Sequence, residues 1–130
     1  MFFSVDPTNG LAIYEQVVRQ ITFAVASGAL KAGEFVPSVR ELARDLAINP
    51  NTVARAYRQL QEGDVLESVR GTGLAVSGGA RQRCRSDRVR LIRDRLRHVL
   101  QEAQQSQIDP EELRTLVEKE LSTLARKAKP

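Results

Sequence analysis

"INPNTVARAYRQL", Ile48 to Leu60, is the stretch on which the reading of this chain turns. Asn49 is a strong helix N-cap, Pro50 suits the first helical position, and Val53, Ala56, Tyr57 and Leu60 then repeat at helical spacing. The tip of this helix is well capped, short in side chain and rich in hydrogen-bonding groups. Such an end either starts a helix well or is meant to be pressed against something polar.

The flanking sequence supplies the context. Upstream, "PSVRELARDLAI" (Pro37–Ile48) has Ser38 and Glu41 at capping-box spacing, with Leu42 and Leu46 as the apolar side of a short helix. Further upstream, "IYEQVVRQITFAVA" (Ile13–Ala26) sets Ile13, Val17, Ile21 and Val25 on one side, widened by Tyr14 and Val18, and ends at Gly28. Downstream of Gly63 the period changes. "DVLESV" and "LAVS" are short extended segments joined by "RGTG", whose two glycines permit a hairpin turn. Helix, short helix, capped helix and hairpin make a winged helix-turn-helix over residues 1–77.

Residues 78–85 lie in "SGGARQRCR", which reads as a linker: Gly-rich, Arg-rich and poor in apolar side chains. Residues 86–130 read as two helices. Val89, Ile92, Leu96, Val99 and Ala103 step by three and four, and Asp109, Pro110 and Glu112 restart a helix lined by Leu113, Leu116, Leu121 and Leu124. A piece this small is close to the ~40-residue limit below which a chain seldom folds unaided. A second copy closing a four-helix bundle about a two-fold axis is the economical solution, which makes the tail a dimerisation region.

Composition excludes several classes. An apolar content of 42% supports a core, no run approaches the ~18 residues of a membrane span, and no signal peptide is recognisable at the N-terminus. Cys84 is the only cysteine, so no disulfide framework and no cysteine-based zinc site is expected. Neither it nor the single histidine, His98, has a catalytic partner in the pattern, so no enzyme, cofactor or metal is expected. The bland reading of Cys84 is an incidental thiol in a mobile linker. The rival is a redox-sensitive thiolate favoured by Arg83 and Arg85. The expected location is the cytoplasm.

The formal charge of +4 is unevenly spread. Residues 1–76 hold seven basic and eight acidic side chains, a net of −1. Residues 77–130 hold thirteen and eight, a net of +5, with eight arginines between Arg81 and Arg97.

In a helix-turn-helix the second helix enters the DNA major groove, roughly 12 Å wide, by its N-terminal end. A small, polar tip fits that role. Asn51 can pair bidentately with adenine, Thr52 can meet a phosphate or a thymine methyl, and the first-turn amides favour a phosphate. Arg55 and Arg58 project from faces left free by the apolar residues. Arg40 stands where a helix dipole prefers an acid, which a phosphate partner would explain, and Arg44 lies one turn on. Arg70 in the hairpin turn can reach a phosphate or the minor groove, beside Gly71, Thr72 and Gly73. The bland alternatives are capping for Ser38, core packing for Tyr57 and solvation for Arg44 and Arg58.

"PSVRELA" and "NPNTVARAY" at this spacing, within residues 28–76, resemble the DNA-binding domain of the GntR superfamily of bacterial transcription regulators. The short two-helix tail further resembles its YtrA-like subfamily. The resemblance implies that Arg40, the tip from Asn49 to Thr52, and Gly71 contact operator DNA, in a homodimeric repressor without the larger ligand domain of other subfamilies. Val36, Ala47 and Ala75 depart from the residues usual at their positions. The effector is not legible. The competing function is a winged helix for protein or RNA contacts through the arginine-rich segment.

Overall fold

The computed structural model describes residues 4–128. The order is α1 (Ile13–Ser27), α2 (Val39–Leu46), α3 (Pro50–Glu62), β1 (Leu66–Val69), β2 (Gly73–Val76), α4 (Ala80–Gln105) and α5 (Pro110–Ala128). This is the expected mainly helical chain with a small hairpin. It divides into two compact units, residues 1–90 and 91–130.

In the first unit, α1 brings Val17, Ile21 and Val25 to a core completed by Leu42 and Ala43 of α2 and by Val53, Ala56, Tyr57 and Leu60 of α3. Leu66 and Val76 close it from the hairpin. Burying each such aliphatic side chain contributes ~1.5–3 kcal/mol relative to leaving it in water. Local chemistry sets the ends of the helices. Gly28 stops α1 at φ 85°, a left-handed conformation cheap only for glycine. Three residues, Ala47 to Asn49, join α2 to α3. Ala47 takes the left-handed conformation there (φ 55°, ψ 46°), and the Ile48 amide donates back to the Ala43 carbonyl at 3.0 Å.

The hairpin is antiparallel, pairing Leu66 with Val76 and Val69 with Gly73. Its second strand is also held from the other side. The Val36 amide donates to Leu74 and the Val76 amide to Glu34, and Phe35 bridges Ala75. The small, buried Ala75 is therefore secured by main-chain bonds rather than by a large side chain of its own.

The expected linker at 78–85 is corrected. The chain is helical from Ala80, and Ala80 and Cys84, one turn apart, are fully buried in the core of the first unit. The Arg81 guanidinium lies over Gly28, at the carbonyl end of α1, where a cation is favoured. Arg83 donates to the Asp64 carbonyl. The reason is physical: two small side chains at helical spacing bury as well as larger ones wherever the backbones approach closely.

In the second unit α4 ends at a turn through Gln107, φ 62°, and the Asp109 carbonyl accepts the first helical bond of α5 from Leu113. Leu113 is half-buried beside Leu100, Pro110 and Val117.

Candidate nucleic-acid interface

The tip of α3 is built from its cap outward. The Asn49 side-chain oxygen accepts from the Asn51 amide at 2.8 Å, and its carbonyl accepts from Thr52 at 3.0 Å. Pro50 has no amide to satisfy. Asn49 thus spends its side-chain oxygen on the cap, and among the described residues its NH₂ makes no hydrogen bond. Asn51 is exposed and Thr52 half-buried, while Val53, Ala56, Tyr57 and Leu60 turn into the core. The free face of α3 consequently carries Asn51, Arg55 and Arg58, as the spacing predicts.

α2 is tied down before it. Ser38 Oγ accepts from the Glu41 amide at 3.1 Å, and the Glu41 carboxylate accepts from the Ser38 amide at 3.3 Å. The Ser38 hydroxyl first, and the Ser38 amide after it, hold the Glu41 carboxyl below its ordinary value. Ser38 is thus structural in this state. Arg40, in the first turn, is exposed, and among the described residues it makes no ion pair. Arg44 approaches Asp45 at 3.8 Å, a contact of little energy at full exposure.

Arg55 has a partner the sequence did not disclose. Its guanidinium stacks over the Tyr14 ring, 3.7 Å from the centroid. Tyr14 reads in the sequence only as a widening of the apolar stripe of α1. Its phenol donates to Glu15 at 3.2 Å, so the ring that carries this cation also holds one acid. Glu62 lies farther away, eleven residues beyond Asn51 or ~16 Å along the helix axis.

In the wing, the Thr72 amide donates to Val69 at 3.0 Å across the turn. Gly71 and Gly73 have φ 77° and 142°, with open space on the side where a Cβ would project. Arg70, Gly71, Thr72 and Gly73 are all exposed. A cleft of about 470 Å³ lies between wing and α2, lined by Phe35, Ser38, Glu41, Thr72 and Leu74 among others. Thus Ser38 and Thr72 share one cleft.

The expected dimer residues fall on the helices of the tail. Val89, Ile92, Leu96 and Val99 of α4 and Leu116, Leu121 and Leu124 of α5 are 48–61% exposed, and Leu113 is half-buried. His98 is exposed. Among the described residues no group of His, Cys, Asp or Glu could hold a metal, and no helix is long and apolar enough to cross a membrane.

Residues 13–76 match the family described as bacterial regulatory proteins, gntR family. The chain is 33% identical over 118 residues to the HTH-type transcriptional repressor YtrA of Bacillus subtilis (strain 168), covering 91% of this chain and 90% of that one. A GntR family transcriptional regulator from Listeria monocytogenes superposes with a TM-score of 0.65 at 32% identity, over 85% of this chain and 96% of that one. The DNA-binding domain of AraR in complex with operator ORX1 shares the fold, with a TM-score of 0.53 at 22% identity over 58% of this chain and 96% of that one. These relatives are regulators rather than enzymes, and the likeness to YtrA runs through winged helix and tail alike. With its capped α3 and glycine-turned wing, the chain belongs to the GntR family of bacterial transcriptional regulators.

Proposed function

We propose that this regulator is a homodimeric repressor that occupies an inverted-repeat operator in the cytoplasm. The tip of α3 enters the major groove, where Asn51 and Thr52 meet base edges and the first-turn amides of Asn49-capped α3 face a phosphate. Arg40 and Arg44 of α2 approach the backbone, Arg55 and Arg58 flank the tip, and the turn from Arg70 to Gly73 follows the adjacent groove. The observation that carries the reading is the pairing of an Asn51 side chain unspent among the described residues with an Arg40 that none of them neutralises, each on the first turn of a helix of one helix-turn-helix. The tail supports the dimer, because seven large apolar side chains on two helices lie open to water.

A domain with net charge −1 draws little on a general basic field, so its affinity rests on a few placed cations and on having two copies. Selection of bound duplexes from a random pool tests both parts. The expected result is a site with two related half-sites in inverted orientation. An enriched site without symmetry overturns the dimeric reading, and no enrichment overturns DNA binding itself.

A further inference from the structure

We propose that two copies of α4 pack antiparallel across the dyad, with Arg88 of one subunit paired to Glu102 of the partner subunit, an arrangement that rests on the dimer reading above. Written as heptads, Val89 and Leu96 take the first seam position of α4, and Ile92 and Val99 the second. All four are about half exposed. Arg88, Arg95 and Glu102, each one residue before a first seam position, form one flank of the seam. Arg93 and Leu100 form the other.

The second flank is met from within the chain, since Leu100 lines a cleft with Leu113 and Val117 of α5. On the first flank, Arg88 and Glu102 are left for a partner. Both are exposed and make no ion pair among the described residues, whereas Arg90 and Arg97, on another face, are matched to Asp87 and Asp94 at 3.1 and 3.6 Å.

Charge decides the direction. Residues 81–97 carry eight arginines against two aspartates, a net of +6. Parallel helices would lay this stretch beside its own copy and bring Arg88 against Arg93 of the partner subunit. Antiparallel helices, with Val89 opposite Val99 and Ile92 opposite Leu96, lay it beside the less basic end of the partner helix. In that register the first flanks face each other, and Arg88 meets Glu102 twice by symmetry. The cost on this flank is Arg95 facing its own copy near the dyad.

Arg88 and Glu102 are fourteen residues apart, ~21 Å along one helix, so neither can reach the other within a chain. That makes a charge swap diagnostic. Sedimentation equilibrium without DNA should show Arg88→Glu and Glu102→Arg each weakening the dimer roughly 3- to 30-fold. The double variant, whose formal charge equals the wild type's, should return to within about threefold of it. Arg88→Glu lowers the net positive charge, so general repulsion alone would tighten the dimer. Both positions are exposed, and helical circular dichroism checks that each variant is folded. Tightening by Arg88→Glu, which a parallel pair predicts, overturns the proposal. So does a double variant no better than the weaker single. A wild-type chain that stays monomeric overturns the dimer as well, whereas a dimer in which the swap fails overturns only this pairing.

Discussion

The Tyr57 phenol on α3 donates a 2.8 Å hydrogen bond to the carbonyl of Pro37, the residue just ahead of the α2 cap. One side chain thus fixes the approach of α2 to α3, and with it the placement of Arg40 relative to Asn51. Burial chiefly, and the Glu41 charge secondarily, push this phenol well above its ordinary value, so it stays a neutral donor. Its proton is committed to Pro37 and is not offered to a phosphate. Tyr57→Phe should cost about 1–2 kcal/mol by urea unfolding, because it leaves a carbonyl without its partner. Operator affinity should fall too. Unchanged stability would show that water replaces the hydroxyl at no cost.

Ala47 sits left-handed between α2 and α3, and a side chain there costs energy that glycine avoids. Glycine gives part of this back through its freer unfolded chain. Ala47→Gly should therefore stabilise the winged helix by a net of about 0.5–1 kcal/mol, seen as a higher urea midpoint at unchanged slope. A lower midpoint would mean that the Ala47 methyl packs better than its backbone is strained.

Cys84 is buried, and desolvation first, then the Asp87 charge, raise its thiol from 9.0 to about 11 despite the opposing pull of Arg83. Burial contradicts the mobile linker expected for Cys84, and the raised thiol argues against an activated thiolate. The folded pKa is raised, so the thiol's contribution to stability is whole below pH 9 and is lost as pH climbs toward 11. Cys84→Ala should flatten that alkaline decline. In the native protein, iodoacetamide should label the thiol only as fast as the unit opens. Rapid labelling, or a disulfide-linked dimer under mild peroxide, would contradict the burial.

What the sequence disclosed and what it hid differ in kind. The Asn49 cap, the Ser38–Glu41 box and the Gly28 stop are local: each depends on residues within one turn, so the string alone carries them. The two glycines of the wing are local in the same way. Arg55 on Tyr14 joins residues far apart in sequence, and nothing in the spacing of either helix announces it. The docking of Ala80 and Cys84 was hidden for another reason. Both are small, and the arginines around them made a packed first turn of α4 look like a solvated linker. What Asn51 and Arg40 would touch lies outside the chain, and the fold supplies only their exposure.

Arg40→Ala should weaken operator binding by about 1–3 kcal/mol with the winged helix and the dimer intact. The guanidinium is exposed in the first turn of α2 and has no ion pair to lose among the described residues. Removing it should even relieve the α2 dipole slightly. If it meets a phosphate, the loss should be similar on every sequence and the salt dependence should become shallower by about one ion. Equal affinity for wild type and variant at moderate salt would remove Arg40 from the interface.

Leu96→Glu combined with Leu121→Glu tests what the tail contributes while keeping every arginine. Leu96 and Leu121 are 48% and 61% exposed in the single chain, so an acid at either position costs the monomer little. In the proposed dimer both positions would be buried, and an unpaired carboxylate there must be desolvated, a cost of several kcal/mol each. The double variant should therefore sediment as a folded monomer. Operator affinity should fall by two orders of magnitude or more, on the order of the ~10²–10⁴ that linking two sites supplies. Contact with a single half-site should survive, since α3 and its neighbours are untouched. A variant that remains dimeric and binds normally would show that the exposed leucines are not the seam. A monomer that still binds the full operator with wild-type affinity would show that each winged helix reads its half-site alone.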